Sequence, residues 1–258
     1  MDYRGSNGAG RSGTTNTMVA SYVKKNVLIE GRWKRFYYTD SPDILIQEFT
    51  DDGPGLNGKK SVKIRDKGAV NNDVSSLLFE YLSGYHVQSH YIKKLSTNEM
   101  LVRRLDILPF EVVVRNIAAG RLYRCYGLKE GQELPHPIIE HYLKNPELEN
   151  PLLNEFHLSA LGLATLEELK VINRTASKIN AVLKAFFERR DLKLVDFTLE
   201  FGRHKGQILV GDEISLDTCR LRDRQSNEPI GDRNRGRSGS EDLREVYLSL
   251  RERLFEKA

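Results

Sequence analysis

The sequence predicts an α+β fold, and three observations carry the prediction. Thr165 followed by Glu168 forms a capping box ahead of apolar residues at three- and four-residue intervals. Leu192 to Asp212 reads as two apolar stretches turned back on each other around Arg203-His204-Lys205-Gly206. Val27 to Phe49 reads as short strands separated by turn residues.

In chain order, residues 1–17 are rich in Gly, Ser, Thr and Asn and lack the apolar core of a signal peptide, so they read as a disordered leader. From Val27 to Phe49, breaks at Glu30-Gly31 and Asp40-Ser41-Pro42-Asp43 predict an antiparallel meander. Residues 51–60 read as a loop. Val74, Leu77, Leu78 and Tyr81 give helical spacing between Asn72 and Leu82, whereas Met100 to Arg104 and Glu111 to Asn116 read as strands.

After the capping box, Leu169, Ile172, Ala176, Ile179, Leu183 and Phe186 define one face of a helix ending near Arg189. Leu192 to Phe201 then sets Val195, Phe197, Leu199 and Phe201 against Leu194, Asp196, Thr198 and Glu200 on the opposite face. A three-residue turn with a left-handed Gly206 would oppose Arg203 to Gln207 and bring Asp212 beside Thr198, so that Glu200 and Asp212 share a face; a slip of one residue would part them. A last helix, Glu241 to Lys257, packs by Leu243, Val246, Tyr247, Leu250 and Leu254.

Composition narrows the function. At 258 residues the chain can bury a substantial core without staples, and its two cysteines, Cys125 and Cys219, support neither a disulfide framework nor a four-ligand zinc site. A reducing, cytoplasmic setting fits. The longest apolar runs fall short of the roughly 20 residues of a membrane span. With 40 basic and 36 acidic side chains the net charge is only +4, too weak a field to argue for nucleic acid. Arg220, Arg222, Arg224, Arg233, Arg235 and Arg237 form a local exception, read either as a solvated loop or as phosphate contacts.

Three constellations bear on chemistry. Glu200 and Asp212 on adjacent strands suit a hard divalent cation such as Mg2+, or else a solvated polar face. Gly31, Arg32, Lys34 and Arg35 sit at a strand break, either as a surface turn or as a cover for polyphosphate. No P-loop or dinucleotide glycine fingerprint occurs. Val112 to Arg115 delivers an arginine at a strand end before Ala119-Gly120-Arg121, where it could fork onto phosphate or pair with Glu111 or Asp106. His90, His136, His141 and His157 show no ligand spacing.

Five stretches in order resemble the SAICAR synthetase family: the Gly31–Lys34 opening; Asp66-Lys67-Gly68 with Asn71-Asn72; Glu111 to Asn116 with Ala119-Gly120; Leu194 to Phe197 with Leu199 to Gly202; and Gly211 to Ser215. The resemblance runs from about Val27 to Asp223. It implies a SAICAR-synthase, ATP-grasp-like fold with a small antiparallel ATP-binding lobe, 18–105, and a larger mixed lobe, 106–258, that binds substrate and metal. It also implies ATP and Mg2+ as cofactors and phosphorylation of a ribonucleotide carboxylate, whose phosphate the amine of aspartate then displaces.

By position, Gly31, Arg32 and Lys34 would meet the ATP phosphates, and Glu200 and Asp212 would hold magnesium. Arg115, Gly120, Arg121 and Arg220 would form the site for the ribonucleotide phosphate. Lys144 and Asp217 would take catalytic positions. The partners implied are a ribonucleotide, an amino acid and a second copy in a homodimer, with no nucleic acid and no membrane.

The departures are specific. Arg121 stands where the family has serine, Asn150 where it has aspartate and Thr198 where it has lysine; Gly53-Pro54 replaces a hydroxyl-bearing pair, Leu216 a proline and Arg222 a tryptophan, while Ile230-Gly231-Asp232-Arg233 lacks a lysine. These changes predict a paralogue with an altered azole ribonucleotide, for example in nucleoside natural-product biosynthesis. Housekeeping purine synthesis and a non-catalytic nucleotide sensor are the alternatives.

Overall fold

Strand residues of high β-propensity and the predicted turns build the first of two large sheets in this computed structural model, which describes residues 22–54, 61–230 and 240–256. The leader 1–17 and Arg233, Arg235 and Arg237 lie outside the described residues. Val27–Glu30 (β1), Lys34–Tyr38 (β2) and Ile44–Phe49 (β3) form the expected meander. Asp52–Pro54 (β4) and Ser61–Lys63 (β5) pair with each other, so part of the segment expected as loop is a two-stranded ladder.

Lys67–Ser83 (α1) starts five residues before the predicted Asn72. Its N-cap, Asp66, is left-handed at φ 66° and makes no side-chain cap bond, its carboxylate accepting from Arg244 instead, so this aspartate does not act as the usual start signal. Tyr91–Lys94 (β6) and Glu99–Arg103 (β7) complete a five-stranded antiparallel sheet in the order β1-β2-β3-β7-β6.

The chain passes to the second sheet between Arg103 and Asp106. Asp106–Ile117 (β8) is followed by Arg121–Tyr126 (α2), Glu133–Leu143 (β9), Leu152–Leu153 (β10) and Glu155–Ala160 (α3). Pro109 is tolerated within β8 because it falls in a register break against the next strand, between Ile107 and Glu111. Leu166–Glu188 (α4) has the predicted capping box at Thr165 and Glu168, with both reciprocal bonds made, at 3.2 and 2.8 Å. Leu192–His204 (β11), Gln207–Gly211 (β12), Cys219–Asp223 (β13), Pro229–Ile230 (β14) and Ser240–Phe255 (α5) end the described chain. The larger sheet runs β10-β9-β8-β11-β13-β14, with β12 also on β11.

The main core lies between α4, α1, α5 and one face of this sheet: Ile172, Ile179, Leu183 and Phe186 of α4 meet Phe197, Leu199 and Phe201 of β11. Burying each such side chain contributes roughly 2 kcal/mol. The opposite face of β11, bearing Asp196, Thr198 and Glu200, is thereby left for polar work. His90 and Val210 join the two sheets, the His90 N–H donating to the Val210 carbonyl at 2.8 Å.

The hairpin after β11 differs from expectation. It closes through a two-residue turn, Lys205 at φ 49° and Gly206 at φ 79°, the twist that suits a tight hairpin, so His204 rather than Arg203 faces Gln207. The register is therefore slipped by one, and Glu200 faces Gly211.

Candidate active site

That slip should have separated Glu200 from Asp212, yet both line one cleft of about 660 Å3. The reason is local. Asp212 follows the last residue of β12 in the left-handed conformation, φ 60°, so the period-two alternation ends before it and its side chain turns back toward Glu200.

The cleft lies between the sheets and has two ends of different character. Leu28, Phe36, Leu45, Val102, Leu105 and Ile107 supply apolar wall, whereas Lys34, Lys144, Glu200 and Asp212 converge as its charged part. Lys34 Nζ contacts Asp212 Oδ1 and lies 2.7 Å from Glu213 Oε1, while Lys144 Nζ lies 2.7 Å from Glu200 Oε1. Burial acts to lower the Lys34 pKa, but Asp212 and Glu213 outweigh it and hold the ammonium above its ordinary range. Burial, then the neighbouring Asp212, pushes the Glu200 carboxyl up.

Glu213, next to Asp212, is buried against Lys34, and its Oε2 has no hydrogen-bond partner among the described residues. Clustered, under-neutralised carboxylates with hard oxygen donors fit a divalent cation that fills its remaining positions with phosphate oxygens or water. Among the described residues no group of three or more His, Cys, Asp and Glu side chains is placed to hold a metal ion, so a cation here would have to draw most of its ligands from outside the protein.

Gly31 and Arg32 also line the cleft, at the β1–β2 connection, where the Gly31 N–H donates to the Lys34 carbonyl at 2.8 Å. The Arg32 guanidinium sits 4.6 Å from the centre of the Trp33 ring. His90 forms part of the wall. It is buried, bonded to Gln47 at 3.2 Å and pushed down to about 4 by burial, so it is neutral.

A second group of predicted residues meets elsewhere on the large sheet. Arg115 is buried and donates to Glu140, to Asp196 at 3.0 Å and to the Tyr142 hydroxyl at 3.4 Å; Glu111 and Asp106 are not its partners. Arg220 forks onto both oxygens of Asp196, with Nε at 2.6 Å from Oδ1. Gly120, at φ 59°, lets this fork come close, since a Cβ there would stand 3.0 Å from Arg220 Nη1. Arg121 does not join them: it is exposed and makes no polar contact with a described residue.

Asp217 belongs to a third group. Its Oδ2 accepts from Lys67 and, at 2.8 Å, from Asn71, and its Oδ1 accepts from the Tyr247 hydroxyl. Lys67, Asn71, Tyr247 and Glu213 carry no role in the sequence reading. Only the motif Asp66-Lys67-Gly68 hinted at Lys67, and a lysine buried to 1% exposure cannot be told from a surface one by its letter.

Comparison with known proteins bears on what this cleft does. Phosphoribosylaminoimidazole-succinocarboxamide synthase of Chloroherpeton thalassium is 49% identical over 232 residues, spanning 90% of this chain and 98% of the relative. Its namesake in Chlorobium chlorochromatii is 51% identical over 233 residues, spanning 90% of this chain and 99% of the relative. The crystal structure of the Ehrlichia chaffeensis synthase superposes with a TM-score of 0.83 at 36% identity, covering 90% of this chain and all of that one. A SAICAR synthetase in complex with ADP matches equally well, with a TM-score of 0.83, 40% identity and coverage of 90% of this chain and 99% of that one. The family profile for SAICAR synthetase matches residues 27–254, and the chain belongs to the SAICAR synthetase family.

Proposed function

We propose that this enzyme, an ATP-dependent carboxylate–amine ligase, carries out the housekeeping step of purine synthesis, joining carboxyaminoimidazole ribonucleotide to aspartate. The observation that carries the reading is the convergence of Lys34, Lys144, Glu200 and Asp212 at the polar part of a cleft with an apolar remainder. The apolar part suits a base, and the charged part suits its polyphosphate. In the reaction a carboxylate oxygen attacks the γ-phosphorus and ADP leaves. The amine nitrogen then attacks the acyl carbon, phosphate departs and the amine loses a proton to solvent.

In this reading residues 18–105 form the nucleotide lobe and 106–258 the substrate and metal lobe. Gly31, Arg32 and Lys34 meet the phosphates of ATP as fixed donors and charges, at no reorganisation cost during transfer. Glu200 and Asp212 hold Mg2+, which when bound offsets the charge on the transferred phosphoryl group. Lys144 approaches the reacting carboxylate from beside Glu200. Arg220 and Gly120 take the ribonucleotide phosphate, with Arg115 fixed behind Arg220 through their shared Asp196. The free thiols suit a cytoplasmic setting, and a homodimer is the assembly that accompanies this reading.

The altered-substrate paralogue expected from the departures receives less support. Arg121, Thr198, Leu216 and Arg222 are absent from the lining of the cleft read as the ATP site, so their replacement leaves that site as it is. Relatives about half identical over nearly their whole length carry a single name, that of the standard synthase. The test is an ADP-release assay with MgATP, carboxyaminoimidazole ribonucleotide and aspartate, in which turnover of about 1–10 per second is expected. ADP release only with a different azole ribonucleotide would restore the paralogue, and none with any carboxylate would leave a sensor.

A further inference from the structure

We propose that the C-terminal helix α5 is part of the ligase apparatus and that Tyr247 is a positioning residue for loop 212–218, which presents Asp212 to the cleft and Glu213 to Lys34. The inference rests on reading that cleft as the nucleotide site.

The loop begins with Asp212 in a left-handed conformation that a non-glycine residue holds only where its surroundings over-determine it. Three anchors do so. The Ile214 N–H donates to Ser75 Oγ of α1 at 3.2 Å; Asn71 and Lys67 of α1 donate to Asp217 Oδ2; and Tyr247 of α5 donates to Asp217 Oδ1. Within the loop, the Asp217 N–H donates to Ser215 Oγ at 3.0 Å and the Ser215 N–H to Thr218 Oγ1 at 2.9 Å, so a pull at Asp217 reaches Asp212 through a short, internally bonded segment.

With both oxygens of Asp217 engaged by donors, that carboxylate is suited to anchor rather than to take up a proton. Lys67 beneath it is enclosed between the rings of Trp33, at 5.6 Å, and Tyr247, at 5.8 Å, which carries the same contact toward the turn that bears Lys34. Tyr247 does not reach Asp217 by chance packing. Arg244, three residues before it, pairs with Asp66 at 2.9 and 2.7 Å, and Arg251, four residues after it, pairs with Asp73 at 2.5 Å. All three share one helix face, and this face registers α5 on α1.

Calorimetric titration of ADP with and without Mg2+, beside thermal melting, separates positioning from packing. Tyr247→Phe keeps the ring and removes the hydroxyl; it should melt below the wild type but no lower than Arg253→Ala, and yet bind ADP with Mg2+ about tenfold more weakly because the loop is no longer held. Arg253→Ala, which cuts the 2.9 Å contact with Asp223 elsewhere on α5, should lower the melting temperature and leave ADP affinity unchanged. Wild-type affinity in Tyr247→Phe, or equal weakening by Arg253→Ala, overturns the assignment. Wild-type protein that takes up no ADP overturns the nucleotide reading itself.

Discussion

Asp196 and Glu200 lie four residues apart on the same face of β11, yet they sit in opposite electrostatic settings. Asp196 closes a ladder, Arg220–Asp196–Arg115–Glu140, in which two positive and two negative groups balance and the Asp196 side chain is 3% exposed. Glu200 pairs with Lys144, while the nearby Asp212 shares Lys34 with Glu213. The first group is balanced in charge before any ligand arrives. The second keeps a carboxyl, Glu200, that burial and then Asp212 push up, the setting that the proposed cation would relieve.

The largest expected effect comes from the open cluster. Glu200→Gln or Asp212→Asn should lower magnesium-dependent turnover by about 10³-fold, because each removes a hard anionic ligand. Neither should lower the melting temperature, since each also removes a like-charge repulsion. Near wild-type rates at saturating magnesium would sink the metal assignment.

Asp196→Ala should behave in the opposite way. It strips both arginines of their shared partner and leaves buried charge unmatched, for a loss of about 3 kcal/mol in urea unfolding. Equal destabilisation by Glu200→Gln would erase the distinction between the two clusters.

Lys34→Ala should weaken ATP binding by about tenfold while changing ribonucleotide affinity less, as for the loss of a point charge facing polyphosphate. Equal weakening of both ligands would show that the two sites are not separate.

The smallest effect lies outside both clusters, at Glu168, which Arg203 and the Thr165 cap hold down at about 2 against an ordinary value of 4.5. Because the folded pKa is depressed, this contribution is full above pH 4.5 and is lost as pH falls toward 2. After solvent screening it amounts to about 1 kcal/mol. Glu168→Gln should flatten the stability profile across that window, and an unchanged acid limb would remove the pair from the account.

These contrasts mark how far the sequence could be read. The α4 helix was legible to the residue because Thr165, Glu168 and the apolar stripe act within a few turns of chain. The start of α1 was not, since Asp66 caps it by backbone conformation alone. Arg115 was legible as a strand-end cation with a partner, but its partners, Glu140 and Asp196, come from the strands on either side. No spacing along β8 could name them.

By itself, then, the sequence determined the first meander, α1, β7, β8, α4, the β11–β12 hairpin and α5, in that order, with the five motifs of the family, because propensity, periodicity and capping are set by neighbours in the chain. The strands β9 and β13 and the short elements beside them carry no such local signal. Only the tertiary structure decided which charges meet. The hairpin register differs by one from the one that would have set Glu200 and Asp212 on one sheet face, and the two still line one cleft because Asp212 turns left-handed at the end of β12. That conformation is held by contacts from residues as distant in sequence as Ser75, Lys67 and Tyr247, whose effect no local rule contains.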